Sequence, residues 1–251
     1  TLMPFAMAVA GLWVGDHTTW MRRAVTWSFF GVAILGAGIL MGGAWAYEAL
    51  SFGGFWAWDP VENSSLVPWL VLVAGAHLLL INRNKPGTAV TATYLMVGLS
   101  FLLVVYSTFL TKSGILGDTS VHSFVDSGIL PQLLAFLLGC CVLFTALTLP
   151  PGRERLVFTG LQLALSIGVI AGQPAICILL MLGLMTAAVL RGHLTHLPRT
   201  DKESPLWTRE FWMFVGGMLM FASAVHITFQ TSLPVLNHFL EPFSGLFDRL
   251  F

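Results

Sequence analysis

Charge is scarce in this chain: 12 Lys and Arg and 12 Asp and Glu, a tenth of 251 residues, with no net balance. A soluble domain carries about a quarter charged residues, so this chain could not cover its own surface in water. The even balance gives a nucleic acid or an acidic partner nothing to recognise, and no nucleic-acid function is expected. Cysteine is scarce too. Cys140, Cys141 and Cys177 all sit inside apolar runs and none forms a C-x-x-C pair. They read as small core hydrophobes, since a redox role needs an exposed, activated thiolate. No basic leader with a small-residue cleavage site stands at the start. The chain opens on Thr1, already in an apolar run, and the expectation is a piece of a longer protein whose partner site lies upstream. No repeat, low-complexity tract or internal boundary is visible, so residues 1–251 read as one domain.

What is abundant is apolar sequence in long blocks. Eight segments stand out, at 2–14, 24–46, 66–81, 89–110, 129–149, 156–170, 175–190 and 211–229. A bilayer span takes roughly 20 residues as a helix, and backbone groups in hydrocarbon must be satisfied internally. The expected fold is therefore all-α: a polytopic integral membrane helix bundle of about eight transmembrane helices. Ala171-Gly172-Gln173-Pro174 separates the sixth and seventh segments and predicts a hairpin turn. With alternating segments, one set of loops holds Arg22, Arg23, Arg83, Lys85, Arg153, Arg155, Arg191, Arg199, Lys202 and Arg209. The opposite set holds Lys112 and Arg249. Basic residues mark the cytoplasmic side, so residues 47–65, 111–128 and 231–251 are expected on the extracytoplasmic face, with membrane lipid around the spans.

The stretch 45–69 is the most informative. It holds Trp45, Tyr47, Phe52, Phe55, Trp56, Trp58 and Trp69 around the pair Gly53-Gly54. Trp and Tyr gather at membrane interfaces in any case, so an anchoring belt is one reading. A belt spreads over several helix ends, however, and here the rings concentrate in one loop beside a glycine pair that permits close approach. The other reading is a flat apolar platform with polar edges for a cofactor such as a porphyrin. Asp59-Pro60-Val61-Glu62 fits an N-cap, a first-turn proline and a glutamate at the third helical position. It predicts a short interfacial helix, with Pro68 near the start of the next span. Both acids are then either structural or help orient a ligand.

The run from Trp56 to Trp69, W-A-W-D-P-V-E-N-S-S-L-V-P-W, resembles the tryptophan-rich WWD signature of haem-handling proteins. Within that superfamily it is similar to the CcmF/NrfE branch, the haem lyase component of System I cytochrome c maturation. W-D-P-V-E-N followed by P-W distinguishes that branch, and Trp45-Ala46-Tyr47-Glu48 fits it. Phe52 and Phe55 stand where the pattern has Trp, and Ala57 where it has an aromatic; Phe keeps the apolar face and loses the indole N–H. Residues 107–124, S-T-F-L-T-K-S-G-I-L-G-D-T-S-V-H-S-F, resemble a second family segment, with Lys112 for the usual Arg and Gly117-Asp118 inserted. The resemblance is specific over residues 45–124 and weak beyond 129.

The resemblance implies residues as well as a function. Neutral imidazole is the usual protein ligand of haem iron. His122, on the same side as the aromatic loop, corresponds to an axial ligand of haem held as substrate at the outer face. His77, among Ala, Gly and Leu in the third segment, corresponds to a ligand of a resident intramembrane haem b. An ionisable group in a membrane helix reads as functional by default. His226 is the histidine within the last segment and the candidate second ligand. The implied haem-binding set is completed by Trp45, Phe55, Trp56, Trp58, Asp59, Glu62, Asn63, Trp69 and Lys112, the last as partner of a propionate or as a snorkelling interface lysine. His17, His193, His196 and His238 read as solvated loop residues.

The implied activity is cytochrome c maturation at the bacterial inner (plasma) membrane: haem lyase chemistry that joins haem to an apocytochrome c with a C-x-x-C-H segment. The haem b would act as reductant, with quinol as its implied electron source. A haem-carrying chaperone and other maturation subunits are the implied partners. A haem transporter or delivery protein without lyase activity, and a non-catalytic anchor subunit, are the alternatives. Secondary transport would show paired broken helices or inverted repeats, which this sequence does not.

Overall fold

The computed structural model describes residues 1–49, 54–116, 120, 128–172, 174–199 and 205–247. These form eight helices in chain order: α1 Leu2–Val14, α2 Thr19–Ala49, α3 Pro60–Asn84, α4 Val90–Lys112, α5 Leu130–Thr148, α6 Arg153–Ile170, α7 Pro174–Thr195 and α8 Arg209–Phe247. Six of them, α2, α3, α4, α5, α7 and α8, are long and apolar enough to cross a bilayer. α1 has 13 residues, and α6 opens on Arg153-Glu154-Arg155. The chain is an integral membrane helix bundle.

The third helix is its axis. α3 packs against α2, α4 and α8 at once, and most of its residues between Asn63 and Asn82 are buried. α1 covers α2, α4 and α5, while α5, α6 and α7 form a second group joined to the first through α4, α1 and α8. Polar pairs cross between helices. Ser64 and Ser107 share a hydrogen bond of 2.8 Å, Tyr106 donates to Ser232 at 2.8 Å, and Asn82 donates to Thr93 at 2.8 Å. In apolar surroundings such bonds each contribute about 0.6–2 kcal/mol.

α3 and α8 run antiparallel, and their register can be read from contacts. Lys85 Nζ lies 3.4 Å from Glu210 Oε2 at one end. In the middle, a Cβ added to Gly217 would lie 3.6 Å from the Ala74 carbonyl oxygen. At the other end Ser64, Val67, Thr228 and Thr231 line one small cavity.

Three boundaries differ from those expected. α3 is one helix from Pro60 to Asn84 with Pro68 inside it, so the short interfacial helix and the following span are continuous. Proline removes one backbone donor, and in membrane helices Ser and Thr side chains help to re-satisfy the backbone around it. The carbonyl left without its helical donor by Pro68 is that of Ser64, while the Ser64 and Ser65 hydroxyls donate back to the Val61 and Glu62 carbonyls of the first turns at 2.7 Å each. α8 continues past Phe229 to Phe247, which places His238 on a helix. His193 likewise lies within α7.

The ends of the bundle sort as alternation demands. His17, after α1, meets Tyr94 at the start of α4; His193, at the end of α7, meets Thr91 of α4 at 2.8 Å; Lys85, after α3, meets Glu210 at the start of α8. These contacts share the end rich in basic residues. Gly15, in the left-handed conformation at φ 76, closes α1. Asp16 then caps α2, its Oδ1 accepting from Thr18 and Thr19 N–H at 3.1 and 3.0 Å.

Candidate functional site

The opposite end holds the aromatic loop, and its geometry follows from the start of α3. Asp59 is the N-cap: its Oδ1 accepts from Val61 N–H at 2.8 Å. Glu62 completes a capping box, its Oε2 accepting from Asp59 N–H at 3.3 Å. The same oxygen reaches further back to Ala57 N–H at 2.8 Å. Asn63 Nδ2 donates to the Trp58 carbonyl at 3.0 Å. Asp59 thus holds the first turn of α3, and Glu62 and Asn63 hold loop backbone.

The rings form a corner rather than the flat slab expected. Trp56 and Trp58 stand edge to face, centroids 6.3 Å apart and planes at 85°. Trp58 has φ 56, which turns the chain between the rings. Trp58 is exposed and Trp56 half-buried. Phe55 lies with its ring directly over Gly43 of α2, where a Cβ would collide with it. Trp45 and Tyr47 are exposed on the last turn of α2. Trp69 takes no part in the loop. It sits nine residues into α3, about 14 Å along the helix, where its Nε1 donates to the Val32 carbonyl at 2.9 Å and its ring fills the space over Gly36. Trp69 locks α2 to α3.

A second segment closes against this corner. Ser120 Oγ donates to Asp59 Oδ1 at 2.8 Å. Val61 packs with Phe109, Leu110, Ile115 and Leu116. The end of α4, with half-buried Lys112 in its last turn, is therefore held beside the start of α3. Nothing in the spacing between Asp59 and Ser120 announced this contact. His122 lies outside the described residues, two positions beyond Ser120.

Three buried polar atoms at the site have no hydrogen-bond partner among the described residues: Trp56 Nε1, Glu62 Oε1 and Asn63 Oδ1. Buried polar groups are normally paired, and of these three the Trp56 indole N–H is the donor. An exposed indole face beside a free indole N–H fits an apolar disc with acidic edge groups, which is what a porphyrin offers.

His77 is a separate centre. It is half-buried on α3, and its Nδ1 lies 2.8 Å from the Val73 carbonyl oxygen. A carbonyl only accepts, so Nδ1 carries the proton and Nε2 keeps its lone pair. This is the tautomer and anchoring used by metal-bound imidazoles. The residue fits an axial ligand of haem iron. The structure does not bring His226 to it. From the Ala74–Gly217 contact, His77 is three residues one way along α3 and His226 nine residues the other way along α8. At 1.5 Å per residue they are about 18 Å apart along the axis. His226 is also exposed, and no histidine stands on α8 at the level of His77.

A third cluster was missed in the sequence because its members are far apart in the chain. His17 is not a solvated loop residue. Trp20 Nε1 donates to the Tyr94 hydroxyl at 2.8 Å, which lies 3.1 Å from His17 Nδ1. His196 meets His17 edge to face, centroids 5.4 Å apart. The Tyr94 hydroxyl and the His17 imidazole thus share one hydrogen bond. Burial and then the neighbouring His196 lower the pKa of His17; burial and then Arg155 lower that of His196. Folded-state values below 6.5 mean that the unfolded chain takes up protons first. Their contribution to stability is then full above pH 6.5 and lost as pH falls through the lowered values. Melting temperature is expected to drop between pH 7.5 and 5.5, and His17→Gln, which keeps a hydrogen-bonding amide for Tyr94, should flatten that drop. An unchanged profile in His17→Gln would refute it.

Residues 3–116 match the family described as cytochrome C assembly protein, a span that includes the aromatic corner, His77 and Lys112 and excludes His226. The cytochrome c-type biogenesis protein CcmF of Pseudomonas aeruginosa is 41% identical over 162 residues, 61% of this chain and 24% of that protein. CcmF of Escherichia coli is 30% identical over 234 residues, 93% of this chain and 29% of that protein. NrfE of Haemophilus influenzae is 40% identical over 121 residues, 48% of this chain and 19% of that protein. A solved structure of "Cytochrome c Heme Lyase CcmF" aligns with TM-score 0.49 and 21% identity, covering 92% of this chain and 43% of the other. The chain thus spans less than a third of the curated relatives' length, and over that span it belongs to the CcmF/NrfE-type cytochrome c biogenesis proteins.

Proposed function

We propose that this chain takes part in cytochrome c maturation by holding haem, as substrate, at the extracytoplasmic face of the bacterial inner membrane while an apocytochrome is joined to it. The observation that carries this reading is the corner itself: two indoles at right angles, an unpartnered Trp56 N–H, and a hydrogen bond from Ser120, two positions before His122 in the sequence, to Asp59. His122 would supply the axial nitrogen and Lys112 a charge for a propionate.

The joining reaction adds a thiol of the C-x-x-C-H segment across a vinyl group. The S–H bond and the C=C π bond are lost, C–S and C–H bonds form, and no net electrons move. The protein contributes orientation and electrostatics, and reactivity belongs to vinyl and thiol. His77 would hold a resident haem b, which supplies one-electron chemistry when bound and is suited to keeping the substrate iron reduced, with quinol as electron source. A haem-carrying chaperone and further maturation subunits are the partners this role requires.

Ferric haem titrated into the purified protein tests the outer site. His122→Ala is expected to weaken that binding about tenfold or more and to leave a haem retained through purification in place. Binding unaffected by His122→Ala removes the axial role. A parent that takes up no haem reduces the loop to an interfacial belt and favours the anchor-subunit reading. Haem binding without thioether formation on an apocytochrome favours delivery or transport.

A further inference from the structure

Trp58 is one of two non-glycine residues with a positive φ among the described residues, at φ 56. A bulky residue occupies this region only where its surroundings hold it. The Trp58 side chain is not what holds it, since the residue is 63% exposed. The holding is done by backbone. Ala57 N–H, before it, and Asp59 N–H, after it, both donate to Glu62 Oε2, at 2.8 and 3.3 Å. The Trp58 carbonyl accepts from Asn63 Nδ2 at 3.0 Å. Three consecutive residues are tied to the first turn of α3. A strained backbone that displays an aromatic ring to the surroundings serves no packing purpose within the chain. The unpartnered Trp56 Nε1 beside the same turn is an independent sign, a donor left for a ligand with acceptor groups at its edge.

We propose that Glu62 and Asn63 are positioning residues that clamp the backbone on both sides of Trp58, so that its indole face stands out of the loop as the stacking face for the site's flat ligand. The identification of that ligand as haem rests on the function proposed above; the clamp does not. The order of residues after Trp58 follows from it. Asp59 caps α3, Pro60 opens it, Glu62 accepts two amides at once, and Asn63 donates to a carbonyl. The negative charge of Glu62 is not needed for this, because an amide oxygen also accepts two N–H groups. The NH₂ of Asn63 is needed, because a carboxylate cannot donate.

The test compares Glu62→Gln, Glu62→Ala, Asn63→Asp and Trp58→Gly in the full chain. Ferric haem affinity, melting temperature and amide exchange at Ala57 and Asp59 are measured. Glu62→Gln is expected to keep parent affinity within about twofold. Glu62→Ala and Asn63→Asp are expected to lose about tenfold, with faster exchange at Ala57 and Asp59 in Glu62→Ala. Trp58→Gly, whose backbone tolerates this φ, is expected to melt at or above the parent temperature and still lose about tenfold in affinity. Equal damage from Glu62→Gln and Glu62→Ala would overturn the clamp in favour of charge. Parent-like affinity in Trp58→Gly would overturn the stacking face. If the parent binds no haem, the haem reading fails, and the clamp is judged by exchange and melting alone. Unchanged exchange in Glu62→Ala together with a lower melting temperature in Trp58→Gly would then overturn it.

Discussion

Purified His77→Ala protein is expected to retain less than about a tenth of the parent's haem b, while His226→Ala retains most of it. Losing an iron ligand should cost more than losing its outer-shell support, which by itself lowers metal affinity 10- to 100-fold. The case for His77 is local. It sits on α3, against which α2, α4 and α8 all pack, where an ionisable group is costly and functional by default. Its Nδ1 is tied to the Val73 carbonyl of the preceding turn, which fixes both tautomer and ring direction. The case against His226 is geometric: the two residues are about 18 Å apart along the axis, and His226 points to the exterior. The spectrum of each purified variant, normalised to protein, decides between them. Full haem retention in His77→Ala refutes its role. Equal loss in both variants would mean that α8 shifts along α3 when haem is bound, because the present register cannot place both on one iron.

Whether a feature could be read from the sequence tracked the range of its interactions. The capping box at Asp59 and Glu62 was legible because its partners lie within four residues and its chemistry is fixed by residue type. Six of the eight helices were legible because each spans enough apolar sequence to cross a bilayer, and the shorter α1 and α6 because turn signals bound their apolar runs. The continuity of α3 through Pro68 was not: proline signals a boundary, and whether a helix survives it depends on what packs around it. Trp69 was read as part of the loop because it ends the motif, yet its N–H goes to Val32, thirty-seven residues away. The contacts of His17 with Tyr94 and His196 were invisible for the same reason. In the site itself the residue types were legible and their roles only in part. Glu62 and Asn63 invite a reading as ligand contacts, whereas their hydrogen bonds go to backbone.

A matched pair of substitutions on α7 is expected to move stability in opposite directions. Gly183 has open space where a Cβ would go, so Gly183→Ala should stabilise the helix by about 0.5–1 kcal/mol through reduced backbone entropy. Gly192, nine residues on, faces the end of α5. A Cβ there would collide with the Thr148 carbonyl oxygen, its carbon lying 2.9 Å away. This obstacle is backbone, and Thr148 is 1% exposed with its hydroxyl donating to the Thr145 carbonyl at 2.7 Å. No rotamer change relieves the clash, so α7 must move away from α5. Overpacking of this kind costs about 1–3 kcal/mol. The movement has a second consequence. Gly192 precedes His193, which holds Thr91, and its carbonyl accepts the N–H groups of His196 and Leu197 at 2.8 and 2.9 Å. Displacing this turn should separate His196 from His17 and remove much of the acid sensitivity expected of that pair. Denaturation of both variants at pH 7.5 and 5.5 measures the two effects together. If Gly192→Ala is as stable as Gly183→Ala, the close α5–α7 approach is not a feature of the folded protein. If it is destabilised but keeps the parent's pH dependence, the histidine pair does not depend on that approach.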